Sequence, residues 1–333
     1  MSLCCAFIGC YACIVARHNL TMVSQKGANM ANQDERLYPV VHWFPGHMAK
    51  ATRMIKEYVK KVDVVIELLD ARIPYSSANP VITEVVGQKP HIIVLNKADL
   101  ADAKATAAWT EYFKSQGKTV LAIDSKTGKG KKQLVKAVET LAAPVLEKWL
   151  KKGVRNRTMR TIILGIPNVG KSTLINSLAG QAAAKTADKP GHTRGQQWVK
   201  IGKNLELLDT PGVLWPKLED QRAAARLAWT GAISDDVYDA ETVLKQLLLF
   251  LHDRCPDVLA ARYKLTDEEM AAPSELLAAI GRRRGCLVKG GEVDLDKARR
   301  VILTDFRSSK FGPMTMDSIE DMNNSGEAVT NHD

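Results

Sequence analysis

The chain has 333 residues, 45% of them hydrophobic and 25% charged. This excludes a disordered or collagen-like polymer and leaves room for two domains with substantial cores. A formal charge of +10 favours a polyanionic partner, nucleic acid or an anionic membrane surface, without choosing between them. Four of the six cysteines, Cys4, Cys5, Cys10 and Cys13, crowd the first thirteen residues and only Cys255 and Cys286 lie elsewhere. That distribution reads as free thiols in a reducing, cytosolic compartment, not as a redox or zinc site.

In chain order, the opening segment "MSLCCAFIGCYACIVARHNL" has no positive charge before its apolar run and no clear small-residue cleavage site after it. It is also short for a bilayer span. Residues 1–37 are expected to be an over-extended or disordered leader, with Met22 and Met30 as alternative starts and a targeting peptide as the competing reading. "HWFPGHMAKA" (42–51) then leads into a predicted helix over 48–61. Compact, β-branched runs follow at 62–70, 91–96, 119–124, 161–165, 198–201 and 205–209, most of them apolar enough for strands covered on both faces. Helices are predicted at 103–116, 130–150 and 171–180. The alternation predicts a doubly wound α/β sheet.

The turns at the carboxyl ends of these strands carry the chemistry. In "VLNKADL" (94–100), Asp99 is an acceptor-only carboxylate suited to the N1–H and N2–H₂ of guanine, a donor pair that adenine lacks. Asn96 can support the base edge, and the Lys97 stem can lie against the ring. "DSKTG" (124–128) offers backbone N–H groups near Ser125 and Lys126 to the base oxygen. "GIPNVGKST" (165–173) fits the phosphate-binding loop G-x-x-x-x-G-K-[ST] between a strand and a helix. There Asn168, Val169, Gly170, Lys171, Ser172 and Thr173 wrap the phosphates, with Lys171 reaching the β- and γ-phosphates and Ser172 holding Mg²⁺. Thr193, in "KPGHTRG", is placed to sense γ-phosphate and magnesium. In "LELLDTPG", Asp209 can approach Mg²⁺ through water and Gly212 can offer its N–H to the γ-phosphate; alone, D-T-P-G is also an ordinary Asx-Pro turn.

The guanine reader precedes the phosphate loop, the reverse of the usual order. Because each motif falls where an open α/β sheet binds its ligands, the reading is a circularly permuted P-loop GTPase domain at 38–216 that binds GTP and GDP. Beyond it, Ala and Leu at helical spacing predict helices at 218–230, 240–252 and 274–280, with Gly231 and Gly281 as stop signals. Residues 217–312 are expected to form a separate, mostly helical domain, and the polar tail 313–333 to be disordered. A helix over 294–307 would carry an apolar stripe of Leu295, Ala298, Ile302 and Phe306, with Lys297, Arg300 and Arg307 near one another elsewhere.

With "HWFPGHMAKA", "DARIPYSSANP", "NKADL", "GIPNVGKST", "PGHTRG" and "DTPGVLWPK" in this order, and "KGGEVDLDKARRVILTDF" near the end, the sequence from Val41 to Gly312 resembles the ribosome biogenesis GTPase A family of circularly permuted GTPases. The resemblance implies a cytoplasmic GTPase that assists late maturation of the large ribosomal subunit, stimulated by the ribosomal particle and without a membrane role. The residue after D-T-P-G is Val213, which cannot hydrogen-bond water. The resemblance points instead to His47, on the loop before the 48–61 helix, to orient the attacking water; capping that helix is the alternative. It also points to Asn168 as a ligand for K⁺ beside the phosphates, against a plain loop-stabilising role. Residues 282–312 hold nine Lys or Arg against four Asp or Glu. The RNA contact is therefore expected on Arg282, Arg283 and Arg284, in a loop, and on Lys297, Arg300 and Arg307. A solvated basic surface is the reading without the resemblance. A nucleotide-gated RNA-binding module with incidental hydrolysis, and an ATP-dependent kinase that would leave "NKAD" unused, are the competing functions.

Overall fold

A computed structural model describes residues 45–155, 157–180, 197–202, 204–214 and 220–320. The expected leader, Thr193 and residues 321–333 lie outside them. Six strands make one sheet: β1 (Val64–Asp70), β2 (His91–Asn96), β3 (Thr119–Ala122), β4 (Met159–Gly165), β5 (Gln197–Ile201) and β6 (Leu205–Asp209). Their spatial order is β3-β2-β1-β4-β6-β5. All pairings are parallel except the antiparallel β5–β6 edge. Every residue of β1 is buried, as its largely apolar "VVIELLD" leads one to expect of a strand covered on both faces. Each fully buried Val, Ile or Leu contributes about 1.5–3 kcal/mol.

The chain enters in the middle of the sheet at β1, steps outward through β2 to β3, and returns beside β1 as β4. That reversal between β1 and β4 is the topological switch point at which open α/β sheets bind ligands. The register aligns Asp70 with Asn96 and Leu68 with Gly165, so loops far apart in sequence leave the sheet along one edge. Side chains start several of the connecting helices: Asn79 caps Pro80–Val86 and Asp102 caps Ala103–Ser115.

The helices after the sheet are Gln221–Trp229, Ala240–Arg254, Pro256–Tyr263, Asp267–Met270, Leu276–Arg283 and Leu295–Arg307. One apolar cluster runs from Ile162 and Leu207 through Leu214 to Leu227, Leu247 and Ile302. The helical segment therefore shares its core with the sheet. Trp109, Phe113, Ile93 and Val120 form a second cluster. Among the described residues, no helix is long and apolar enough to cross a membrane.

Four sequence expectations need correction. His47 lies in the first turn of the helix Pro45–Lys60, not on a loop before it; its side chain is outside the described residues. Gly231 does end a helix, with φ of 78°, but Gly281 sits inside Leu276–Arg283. A Cβ there would meet Val293 Cγ1 at 2.3 Å, so glycine at 281 serves close packing, not termination. Leu295 is 45% exposed, whereas Ala298, Ile302 and Phe306 are buried: the stripe begins one turn later because Leu295 is the first helical residue, just beyond the Asp294 cap.

The fourth correction concerns the tail, whose first residues are packed. Met314 N–H donates to Leu100 O, and Met316 N–H donates to Arg72 O at 2.8 Å. Asp317 is buried and accepts from Ser76 N–H and Ser76 Oγ, each at 2.7 Å, and from Arg226 Nη1 at 2.9 Å. Its polar composition concealed two buried methionines and a carboxylate with donors from both halves of the molecule.

Candidate nucleotide site

The phosphate loop leaves β4 at Gly165 and enters the helix Lys171–Ala179 at Gly170. Gly170 has φ of 101°, and a Cβ there would lie 2.4 Å from Asn96 Nδ2. Only glycine tolerates both that backbone and that approach. The approach is productive, because Asn96 Nδ2 donates to Val169 O at 2.8 Å. The other end of the same amide, Oδ1, accepts from Ser125 N–H and Ser125 Oγ. One side chain thus ties "NKAD", "DSKTG" and the phosphate loop together.

Lys97 adds a second tie, since its Nζ donates to Asn168 O at 2.7 Å and to Asp70 Oδ2 at 3.0 Å. Asp99 stands exposed just beyond it. Asp124 accepts from Lys126 N–H, Thr127 N–H and Thr127 Oγ1, fixing the turn that carries Ser125 and Lys126. Burial would raise the Asp124 carboxyl, but these hydrogen bonds lower it below its usual range. The guanine-type motifs and the phosphate loop therefore meet at one edge of the sheet.

Lys171 is buried, and its Nζ donates to Gly165 O at 3.1 Å and Ile166 O at 2.8 Å. Burial pulls its pKa down to about 7, against the opposing attraction of Asp209. Ser172 Oγ donates to Asp209 Oδ2 at 3.1 Å. The other carboxylate oxygen, Oδ1, is buried with no partner among the described residues, and burial pushes the Asp209 carboxyl up. An unpaired buried carboxylate oxygen beside a serine hydroxyl fits a hard cation such as Mg²⁺. Gly212 lies against the phosphate loop, where a Cβ would fall 2.5 Å from the Pro167 backbone, and Val213 N–H donates to Gly165 O.

Two supporting residues carry no chemical label in the sequence. Asp70 receives Arg72 through Nε at 2.9 Å and Nη2 at 2.7 Å, besides Lys97. Burial alone would raise the Asp70 carboxyl, yet Arg72 and Lys97 hold it well below the usual carboxylate range. Asn79 Nδ2 donates to Val213 O at 3.0 Å, bracing the D-T-P-G segment. Both lie within "DARIPYSSANP", whose spacing announces no reaction.

The remaining expected residues are distributed differently. Asn168 adopts φ of 56° and its Nδ2 donates to Gly231 O at 2.7 Å, linking the phosphate loop to the helical segment. Thr173 follows Ser172 in the first turn of its helix. Arg282 and Arg283 form the last turn of Leu276–Arg283, not a loop, and Arg284 caps it. Arg283 pairs with Glu269 at 2.9 Å and Arg284 with Asp305 at 3.1 Å. Lys297 and Arg300 are exposed on Leu295–Arg307. Arg307 turns inward, donating to Trp229 O and Ala228 O, each at 3.0 Å.

Comparison with known proteins agrees with this geometry. Residues 160–277 match the family described as 50S ribosome-binding GTPase. A "Ribosome biogenesis GTPase A" from Bacillus cereus is 48% identical over 292 residues, covering 87% of this chain and 98% of its own length. The same-named protein of Bacillus licheniformis is 50% identical over 285 residues, covering 85% and 100%. Among solved structures, GNP-bound YlqF from T. maritima superposes with a TM-score of 0.57 at 30% identity, covering 80% of this chain and 97% of that one.

Proposed function

This chain belongs to the ribosome biogenesis GTPase A family and is a circularly permuted GTPase, and from that premise we propose that it acts in the cytoplasm as an assembly factor for late maturation of the large ribosomal subunit. In this reading it binds ribosomal RNA or pre-ribosomal particles in its GTP state, and the particle stimulates hydrolysis. The observation that carries the nucleotide half of the reading is the seating of Asn96 and Lys97 on the phosphate loop. The basic helical segment, with Lys297 and Arg300 exposed, supports the RNA half.

Asp99 selects guanine by accepting from N1–H and N2–H₂, while Asn96 holds the base-side loops in register. Lys171 exchanges its carbonyl partners for β- and γ-phosphate oxygens and becomes fully charged. Mg²⁺, when bound, neutralises charge building on the phosphates; Ser172 and Asp209 are the residues that would hold it. The buried Val213 cannot position water, and His47, on the helix Pro45–Lys60, supplies that function. Contact of γ-phosphate with the segment after Asp209, of which 215–217 lie outside the described residues, carries the nucleotide state to the helices.

Single-turnover hydrolysis with and without ribosomal particles tests the assignment. Stimulation by large-subunit precursors supports it, whereas equal rates favour an RNA-binding module with incidental hydrolysis. Two variants examine the residues. Asp99→Asn should shift preference from GTP towards xanthosine triphosphate, and unchanged GTP selectivity removes Asp99 from the base site. His47→Ala should slow hydrolysis at least ~100-fold with little change in GTP affinity; matched losses in both would mark a structural residue.

A further inference from the structure

The helix Lys131–Lys151 carries the chain back from β3 to the start of β4, so its last turn stands at the amino edge of the sheet, opposite the nucleotide loops. Residues 147–157 hold five Lys or Arg and one Glu. Lys148, Lys151, Lys152 and Arg155 are all exposed. Amid them Trp149 is 37% exposed, with the Arg157 guanidinium 4.4 Å and the Lys152 ammonium 5.4 Å from its ring centroid. Arg157 is itself held by the buried Asp63 carboxylate at 2.8 Å, so the indole is braced by a fixed planar cation. Exposed Lys61 and Lys118 stand at the starts of β1 and β3 on the same edge. With the strand order β3-β2-β1-β4 and about 4.8 Å between strands, this row of cations is roughly 14 Å long.

Helix polarity accounts for cations in the last turn of Lys131–Lys151 and for Lys61 and Lys118, which follow the ends of Pro45–Lys60 and Ala103–Ser115, but not for Arg155 or Arg157. Nor does it account for a tryptophan left in solvent and stacked on arginine. We infer that this basic, tryptophan-bearing rim is an RNA-docking surface, separate from the helical segment, that holds phosphates along its row of cations and stacks an unpaired base on Trp149. Cations that follow a backbone, beside an aromatic platform, are how single-stranded RNA is bound without reading sequence. A lipid surface fits less well: a guanidinium tied to Asp63 is stacked on the Trp149 ring, and lysines border it, which opposes its sinking into acyl chains. Because the rim lies opposite the phosphate loop, RNA and nucleotide can be bound together. The inference rests on the proposed RNA partner.

The test uses the full chain and a 20-nucleotide single-stranded RNA, with binding measured from 50 to 200 mM salt. Lys151→Glu/Lys152→Glu should weaken binding at least tenfold and reduce the slope of log K against log salt by about 1.4, the value for two lost single-strand phosphate contacts. Trp149→Ala should lower affinity at every salt concentration without changing the slope, and Trp149→Phe should restore most of it. Basal GTP hydrolysis should be unchanged in all three. Arg282→Glu/Lys297→Glu, measured in parallel, separates the two ideas. If only that variant loses RNA, the rim is not a docking surface and the RNA-partner reading stands. Wild-type protein that binds neither this RNA nor ribosomal particles overturns both. Rim variants that keep RNA but release anionic phosphatidylserine vesicles replace the RNA surface with a membrane one.

Discussion

Under the proposed function, Lys171 is the side chain whose charge the nucleotide restores. In the free protein its ammonium is buried against two loop carbonyls and its pKa falls from 10.5 to about 7. A lysine depressed on folding binds fewer protons than in the unfolded chain between those two values. Its cost to stability is therefore full below pH 7 and fades as pH rises towards 10.5. Triphosphate reverses the shift, so binding at pH 8 should take up close to one proton. Calorimetry in buffers of different ionisation enthalpy should detect that uptake in the wild type and lose it in Lys171→Arg, whose charge is permanent. At the same scale, "NKAD" marked Asn96, Lys97 and Asp99 as candidates because their donors and acceptors would suit a base edge, and the structure seats Asn96 and Lys97 on the phosphate loop. Asp70 was not, since an aspartate at a strand end looks the same whether it meets water or receives Arg72 and Lys97.

Strands were the most legible elements, because a sheet covered on both faces leaves its strands nearly continuous in apolar residues, as β1 shows. Short helices such as Pro80–Val86 and Pro256–Tyr263 are too brief for periodicity to mark them. The segment 314–317 defeated composition altogether. Its worth lies in partners more than 90 positions away in sequence: Asp317 bonds Ser76 beside β1 and Arg226 in the helix Gln221–Trp229. Asp317→Ala removes the acceptor shared by the half-buried Arg226 and the buried Ser76 hydroxyl and should cost about 3 kcal/mol. Urea unfolding should reveal that loss.

At the scale of the whole molecule, the phosphate loop and the helical segment are joined by a short hydrogen-bonded path. Asn168 bonds Gly231 O, and Arg307 caps the neighbouring carbonyls of Trp229 and Ala228. Reorganisation of the loop around phosphates should therefore reach the end of Gln221–Trp229. Amide exchange of residues 226–231 should slow when a GTP analogue replaces GDP, and Arg307→Ala should erase the difference while leaving GTP affinity within about threefold. An unchanged exchange pattern would place the coupling wholly in the segment after Asp209. By itself the sequence determined the strands, the loop motifs and the permuted order in which they occur, because backbone preference and side-chain functional groups are local properties. Only the tertiary structure decided that Asp70 underpins Lys97, that Gly281 sits within a helix, that Arg307 faces inward and that Asp317 joins two halves of the chain. Each of those depends on which distant atoms fill the space around a residue, and no local pattern encodes that neighbourhood.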